Sequence, residues 1–132
     1  MSFTERFAAE AKGRPEGIKP TVEDVYAALR AAGLTIVDVK QHLASPQGAR
    51  YCVGARIVGA SADLLLDASA CEYATQESAR IGRDYSESSL KDVIPNRTIY
   101  ANKQTTLTLR EAQKTPDIDA LVGKASSTFA KL

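Results

Sequence analysis

The chain has 132 residues, enough for one domain with one core. Its 44% apolar and 25% charged residues are ordinary globular usage, and a formal net charge of +1 provides no field to draw it toward nucleic acid or an anionic membrane. Trp is absent and aromatics are few, which argues against a surface that stacks bases or sugars, and no apolar run approaches the ~20 residues of a membrane span.

Residues 3–11 fit a short helix with Phe3 and Phe7 on one face. Gly13, Pro15, Gly17 and Pro20 then interrupt regular structure, so residues 1–20 read as an arm and linker. Residues 21–132 read as a single α+β domain. Thr21 caps the first strong helix, with Asp24 placed for a capping box. Val22, Val25, Leu29 and Ala32 form its apolar stripe, and Gly33 follows as the terminating residue. Residues 34–40 carry Leu34, Ile36, Val37 and Val39 and predict a strand. Ser45-Pro46-Gln47-Gly48 is a turn.

Residues 50–58 and 63–72 predict a hairpin around Gly59-Ala60-Ser61-Ala62. One register satisfies both faces. It sets Cys52 opposite Cys71, Gly54 opposite Ser69, Arg56 opposite Asp67 and Val58 opposite Leu65. The other face then pairs Val53 with Ala70, Ala55 with Ala68 and Ile57 with Leu66, wholly apolar and suited to helix packing. A shifted register sets Arg56 against Leu65 and separates the cysteines.

A helix is expected over residues 74–90, with Ala74, Ser78, Ile81 and Tyr85 on one face and an Arg80–Asp84 pair at i,i+4. Pro95-Asn96 marks its exit. Residues 97–101 and 104–110 predict a second hairpin, with Asn102 supplying the positive φ of the turn and Tyr100, Thr105, Leu107 and Leu109 on the core side. Thr115-Pro116 starts a last helix, whose stripe is Ile118, Leu121, Val122, Ala125, Phe129 and Leu132. The sum is an antiparallel sheet of about five strands with helices mainly on one face.

The chemistry-bearing residues form no established catalytic constellation. Cys52 and Cys71 are read as a cross-strand disulfide, which implies an oxidising compartment; the competing account is two buried thiols acting as small apolar groups. Arg80, Arg83, Arg97 and Lys103, with Glu72, are the candidate set for binding an anionic ligand; the competing account is a solvated helix face plus turn residues. Glu72, Asp67 and Glu77 are the acids available for proton transfer, although Arg56 accounts for Asp67 and helix solvation for Glu77. His42 is the one histidine, read as a surface residue, so no metal site and no cofactor are expected.

The leading expectation is a non-enzymatic binding or structural module of the bacterial periplasm or cell envelope, recognising a protein or small ligand. That location requires that a leader has been removed, because residues 1–12 lack the apolar stretch of a signal peptide. The alternatives are a cytoplasmic homodimer or assembly subunit, and a small enzyme acting on an anionic substrate. The expected partners are a protein or a second copy of the chain, not nucleic acid.

Overall fold

Helix starts are set by side chains that satisfy orphan backbone donors. In the computed structural model, which describes residues 1–61, 64–90, 96–111 and 113–132, Ser2 caps α1 (Phe3–Lys12) and Thr21 caps α2 (Val22–Ala31). Both form full capping boxes, through Glu5 and Asp24. Thr115 caps α4 (Pro116–Ala130), with Pro116 in the first turn. After α2, Gly33 adopts φ 93° and releases the chain into β1 (Thr35–His42). A 3-10 turn over Ser45–Gln47 ends on Gly48 at φ 71°.

The strands β2 (Tyr51–Val58) and β3 (Leu65–Glu72) pair in the register that satisfied both faces, including Cys52 with Cys71 and Arg56 with Asp67. Asp63, the expected start of β3, lies outside the described residues. So does Pro95, beyond α3 (Gln76–Leu90). Strands β4 (Arg97–Asn102) and β5 (Thr105–Glu111) form the second hairpin. All pairings are antiparallel, in the order β1-β2-β3-β5-β4.

One sheet face holds the main core. Val53, Ala55, Ile57, Leu66, Leu107 and Leu109 meet Val22, Val25 and Leu29 of α2 and Ile118, Ala125 and Phe129 of α4. Tyr26 adds a buried hydrogen bond from its hydroxyl to the Val53 carbonyl. The opposite face carries a smaller core of Ala44, Ala49, Cys52, Cys71, Tyr73 and Ala79, which α3 helps to cover. Two helices therefore take the expected face, and α3 takes the other.

Three local expectations are corrected. In α3, Ile81 and Tyr85 are exposed, and the helix approaches the sheet through Ala79, Gly82 and Ser86 instead. Small residues allow the close approach that a stripe of large ones prevents. The Arg80–Asp84 pair is replaced by Arg80 with Glu77 and Arg83 with Asp84. The positive φ of the β4–β5 turn belongs to Lys103 (55°), and the Asn102 side chain instead donates to the Phe129 and Leu132 carbonyls. Residues 14–20 pack into the domain: Ile18 is buried, and Thr105 donates its hydroxyl hydrogen to the Pro20 carbonyl.

A Cβ at Gly82 would stand 2.7–2.9 Å from the Tyr73 ring, which is buried. Overpacking costs about 1–3 kcal/mol, against about 1 kcal/mol gained when alanine replaces a helical glycine. Gly82→Ala is therefore expected to lower the urea midpoint, because the buried Tyr73 ring must shift to admit the methyl group. An unchanged midpoint would mean that α3 can lift off the sheet without loss.

Candidate functional site

The strand pleat sends alternate residues to opposite faces, and the five-strand register turns this into rows across the sheet. On the face opposite the main core, one row reads Val37, Arg56, Asp67, Arg110, Arg97. The next reads Lys40, Gly54, Ser69, Thr108, Ile99, and the third His42, Cys52, Cys71, Thr106, Ala101. Charged groups, hydroxyls and the disulfide thus lie in successive bands.

A β-bulge determines which residues of β1 join this face. Val37 pairs with Arg56 and Lys40 with Gly54, so Asp38 and Val39 together oppose the single residue Ala55. Asp38 takes φ 54°, a conformation aspartate tolerates better than most residues. The extra residue reverses the alternation, so 40 and 42, rather than 39 and 41, share the face of 37.

His42 consequently lies over the sheet beside the disulfide. Its Nδ1 is 3.2 Å from the Leu43 carbonyl oxygen, and its Nε2 is 2.6 Å from Ser69 Oγ. A carbonyl only accepts, so Nδ1 carries the proton and Nε2 accepts from the Ser69 hydroxyl. Gly54 makes room beneath: a Cβ there would stand 3.3 Å from His42 Cδ2. Ser69 Oγ also lies 3.7 Å from Cys71 Sγ, and Gln47 Oε1 lies 3.3 Å from the same sulfur. Cys52 and Cys71 are joined, with Cα atoms 4.2 Å apart, as the narrow pair of an antiparallel ladder requires. Both sulfurs' residues are fully buried.

Beside this group, a depression of about 390 Å³ is bordered by Gln47, Ser69, Ser86, Arg97, Thr108 and Arg110. Arg97 is anchored by α3, donating to the Ser86 hydroxyl (2.7 Å) and the Ser86 carbonyl (2.5 Å). Arg110 stands directly opposite Arg97 and Asp67, but Asp67 pairs with Arg56 at 3.4 Å. Among the described residues, Arg110 has no carboxylate within ion-pair distance. Pro46 and Gln47 also border an adjoining depression with the exposed Ile81 and Tyr85.

The candidate anion set divides into three places. Arg80, Arg83 and Lys103 border one surface depression, where Glu77 and Asp84 already pair with the two arginines. Arg97 borders the Ser69–Arg110 depression instead. Glu72 is 1% exposed and points to the opposite face, where it accepts two hydrogen bonds from Arg14 (3.2 and 2.7 Å) and one from the Val22 amide (2.9 Å). Among the described residues, Glu72 lies on the other face from the depressions that Arg80, Arg83 and Arg97 border, because residue 72 has the opposite parity to Cys71 on β3. Arg14 also donates to Glu23, holding that carboxyl below its ordinary pKa, and stacks 4.1 Å from the Tyr51 ring.

No family model, no curated protein and no solved structure matches this chain.

Sequence reasoning missed His42, Ser69, Thr108 and Arg110. The β2–β3 register already placed Ser69 on the face of Cys71, but Thr108 and Arg110 join it only because β5 lies beside β3. Nothing in the sequence pattern marked the bulge that brings in His42.

Proposed function

We propose that the chain is a non-enzymatic binding module of an oxidising compartment, in the bacterial periplasm or cell envelope, that recognises a carboxylate on a protein segment or small ligand. The carrying observation is the direct opposition of Arg97 and Arg110 on neighbouring strands. Like charges directly opposite each other are destabilising, and Ser86 holds Arg97 in place while Asp67, which also borders the depression, is engaged by Arg56. An incoming carboxylate relieves the repulsion and finds paired guanidinium donors with the Ser69 and Thr108 hydroxyls below. The exposed Ile81 and Tyr85, next to the same loop residues Pro46 and Gln47, offer an apolar anchor to a protein segment bearing that carboxylate. The disulfide supports the oxidising location. No described helix is long and apolar enough to cross a membrane.

Succinate is a suitable probe. Titrated into the labelled protein, it is expected to shift the amide resonances of Ser69, Thr108 and Arg110 in a saturable way. Arg110→Ala should weaken the response at least tenfold while leaving distant resonances unchanged. Equal responses in the two proteins, or none in the wild type at millimolar succinate, would sink the reading. Mass spectrometry without reductant on protein from its native source tests the compartment: two free thiols there would remove it.

A further inference from the structure

We infer that reduction of the Cys52–Cys71 disulfide opens a zinc site formed by Cys52, Cys71 and His42. The ligand atoms of these three residues all lie within 4.8 Å of one another. A tetrahedral zinc ion with bonds of about 2.0–2.3 Å spaces its ligands by about 3.3–3.8 Å, so the set needs a movement of about 1 Å once the S–S bond is gone.

The imidazole is already oriented for a metal. Its Nδ1–H is held by the Leu43 carbonyl, leaving the Nε2 lone pair directed at Ser69, whose Oγ lies 3.7 Å from Cys71 Sγ. Metal-ligating histidines are held in this way, with one ring nitrogen tied to an outer acceptor. Gly54, lacking a Cβ, leaves the ring room beside the cysteines. The fourth position is bordered by Gln47 Oε1, 3.3 Å from Cys71 Sγ.

The charge balance selects the cation. Two thiolates and a neutral imidazole around a divalent ion sum to zero, which suits sulfurs with no exposure among Ala44, Ala49, Tyr73 and Ala79. Thiolate with imidazole favours zinc over calcium or magnesium, which take oxygen ligands.

The chemistry closes in two steps. Two molecules of a low-molecular-weight thiol reduce the disulfide: the S–S bond takes up two electrons and two protons, and the thiol leaves as its own disulfide. Zinc then replaces the two thiol protons, forming two Zn–S bonds and one Zn–N bond while two protons pass to solvent. The same pair of sulfurs is therefore either a covalent staple or a metal clamp. This inference does not depend on the carboxylate-binding reading.

The test uses the full chain, oxidised or reduced with a phosphine, titrated with Co²⁺ and then with Zn²⁺ against a chromophoric chelator. The reduced protein is expected to show a cobalt–thiolate band and to bind one zinc per chain, and the oxidised protein neither. His42→Ala should weaken zinc at least tenfold in the reduced form, whereas Ser69→Ala should retain the band. Far-ultraviolet circular dichroism follows the fold throughout. A reduced, folded protein without the band, or His42→Ala binding zinc as tightly as wild type, would overturn the inference. Unfolding on reduction that zinc does not reverse would overturn it too, since the fold supplies the ligand geometry.

Discussion

Replacing Arg14 with alanine is expected to cost about 3–5 kcal/mol of unfolding free energy, the loss typical when one partner of a buried ion pair is removed. The Glu72 side chain is 1% exposed, and Arg14 gives it two of its three hydrogen bonds. Without the guanidinium, a carboxylate remains out of water with only the Val22 amide for compensation. The Glu23 pair matters far less, because Glu23 is 62% exposed and surface pairs contribute about 0–1 kcal/mol. Glu23→Gln therefore serves as the control, with a change under about 1 kcal/mol.

Urea unfolding of Arg14→Ala, Glu72→Gln and the double variant closes the cycle. The double variant should be more stable than Arg14→Ala alone, because a neutral amide costs less to bury than an unpaired charge. Additive losses, or a loss under about 1 kcal/mol for Arg14→Ala, would show that the pair is not formed in solution. A native stability of about 5–15 kcal/mol makes the expected loss a large fraction of the whole. The segment carrying Arg14 would then be indispensable to the domain rather than a dispensable arm.

The second large effect concerns the disulfide. Cys52 and Cys71 are 19 residues apart in sequence, and closing a loop of that length restricts the unfolded chain by about 3 kcal/mol in the loop-entropy account. The double variant Cys52→Ala/Cys71→Ala should lose about that amount, with an unchanged dependence on urea and the same antiparallel sheet signature. Alanine suits the site, since both residues are fully buried among Ala44, Ala49 and Ala79, where serine would bury hydroxyls. Wild type treated with reductant in the absence of metal should fall to a similar midpoint. A midpoint that reduction does not move would show that the bond contributes nothing to stability.

Much of the site's framework is legible in the sequence. The pairing of β2 with β3 followed from two constraints acting together: an apolar face needing cover and opposite charges needing each other. That register placed Cys52 against Cys71 and Ser69 one step along the same face. Helix caps at Thr21 and Thr115 were equally legible, because a short polar side chain three residues before a backbone donor is a local device. The stripe of α4 delivered Ile118, Ala125 and Phe129 to the core.

The arginines were less legible. Arg80, Arg83, Arg97, Lys103 and Glu72 share an end of the chain's α3–β4 region in sequence terms, yet strand parity sends Glu72 beneath α2 and local acids occupy Arg80 and Arg83. Only Arg97 enters the site proposed, and it meets Arg110 because the β4–β5 turn falls on residues 103–104, one residue later than the expected Asn102-Lys103 turn, which would set Arg97 opposite Thr108. The stripe read on α3 also failed, since packing against the sheet favoured Ala79, Gly82 and Ser86 over larger side chains.

By itself, the sequence determined the helices and strands, the caps at Thr21 and Thr115, the β2–β3 register and hence the cysteine pair, because each rests on contacts between near neighbours or on two-residue alternation. Tertiary structure alone decided that β5 lies beside β3, that Arg14 closes over Glu72, and that His42 faces the sulfurs. The last depends on one extra residue at Asp38–Val39: a bulge reverses every side chain beyond it, and the hydrogen-bonded partner strand, not the local sequence, determines where that reversal falls.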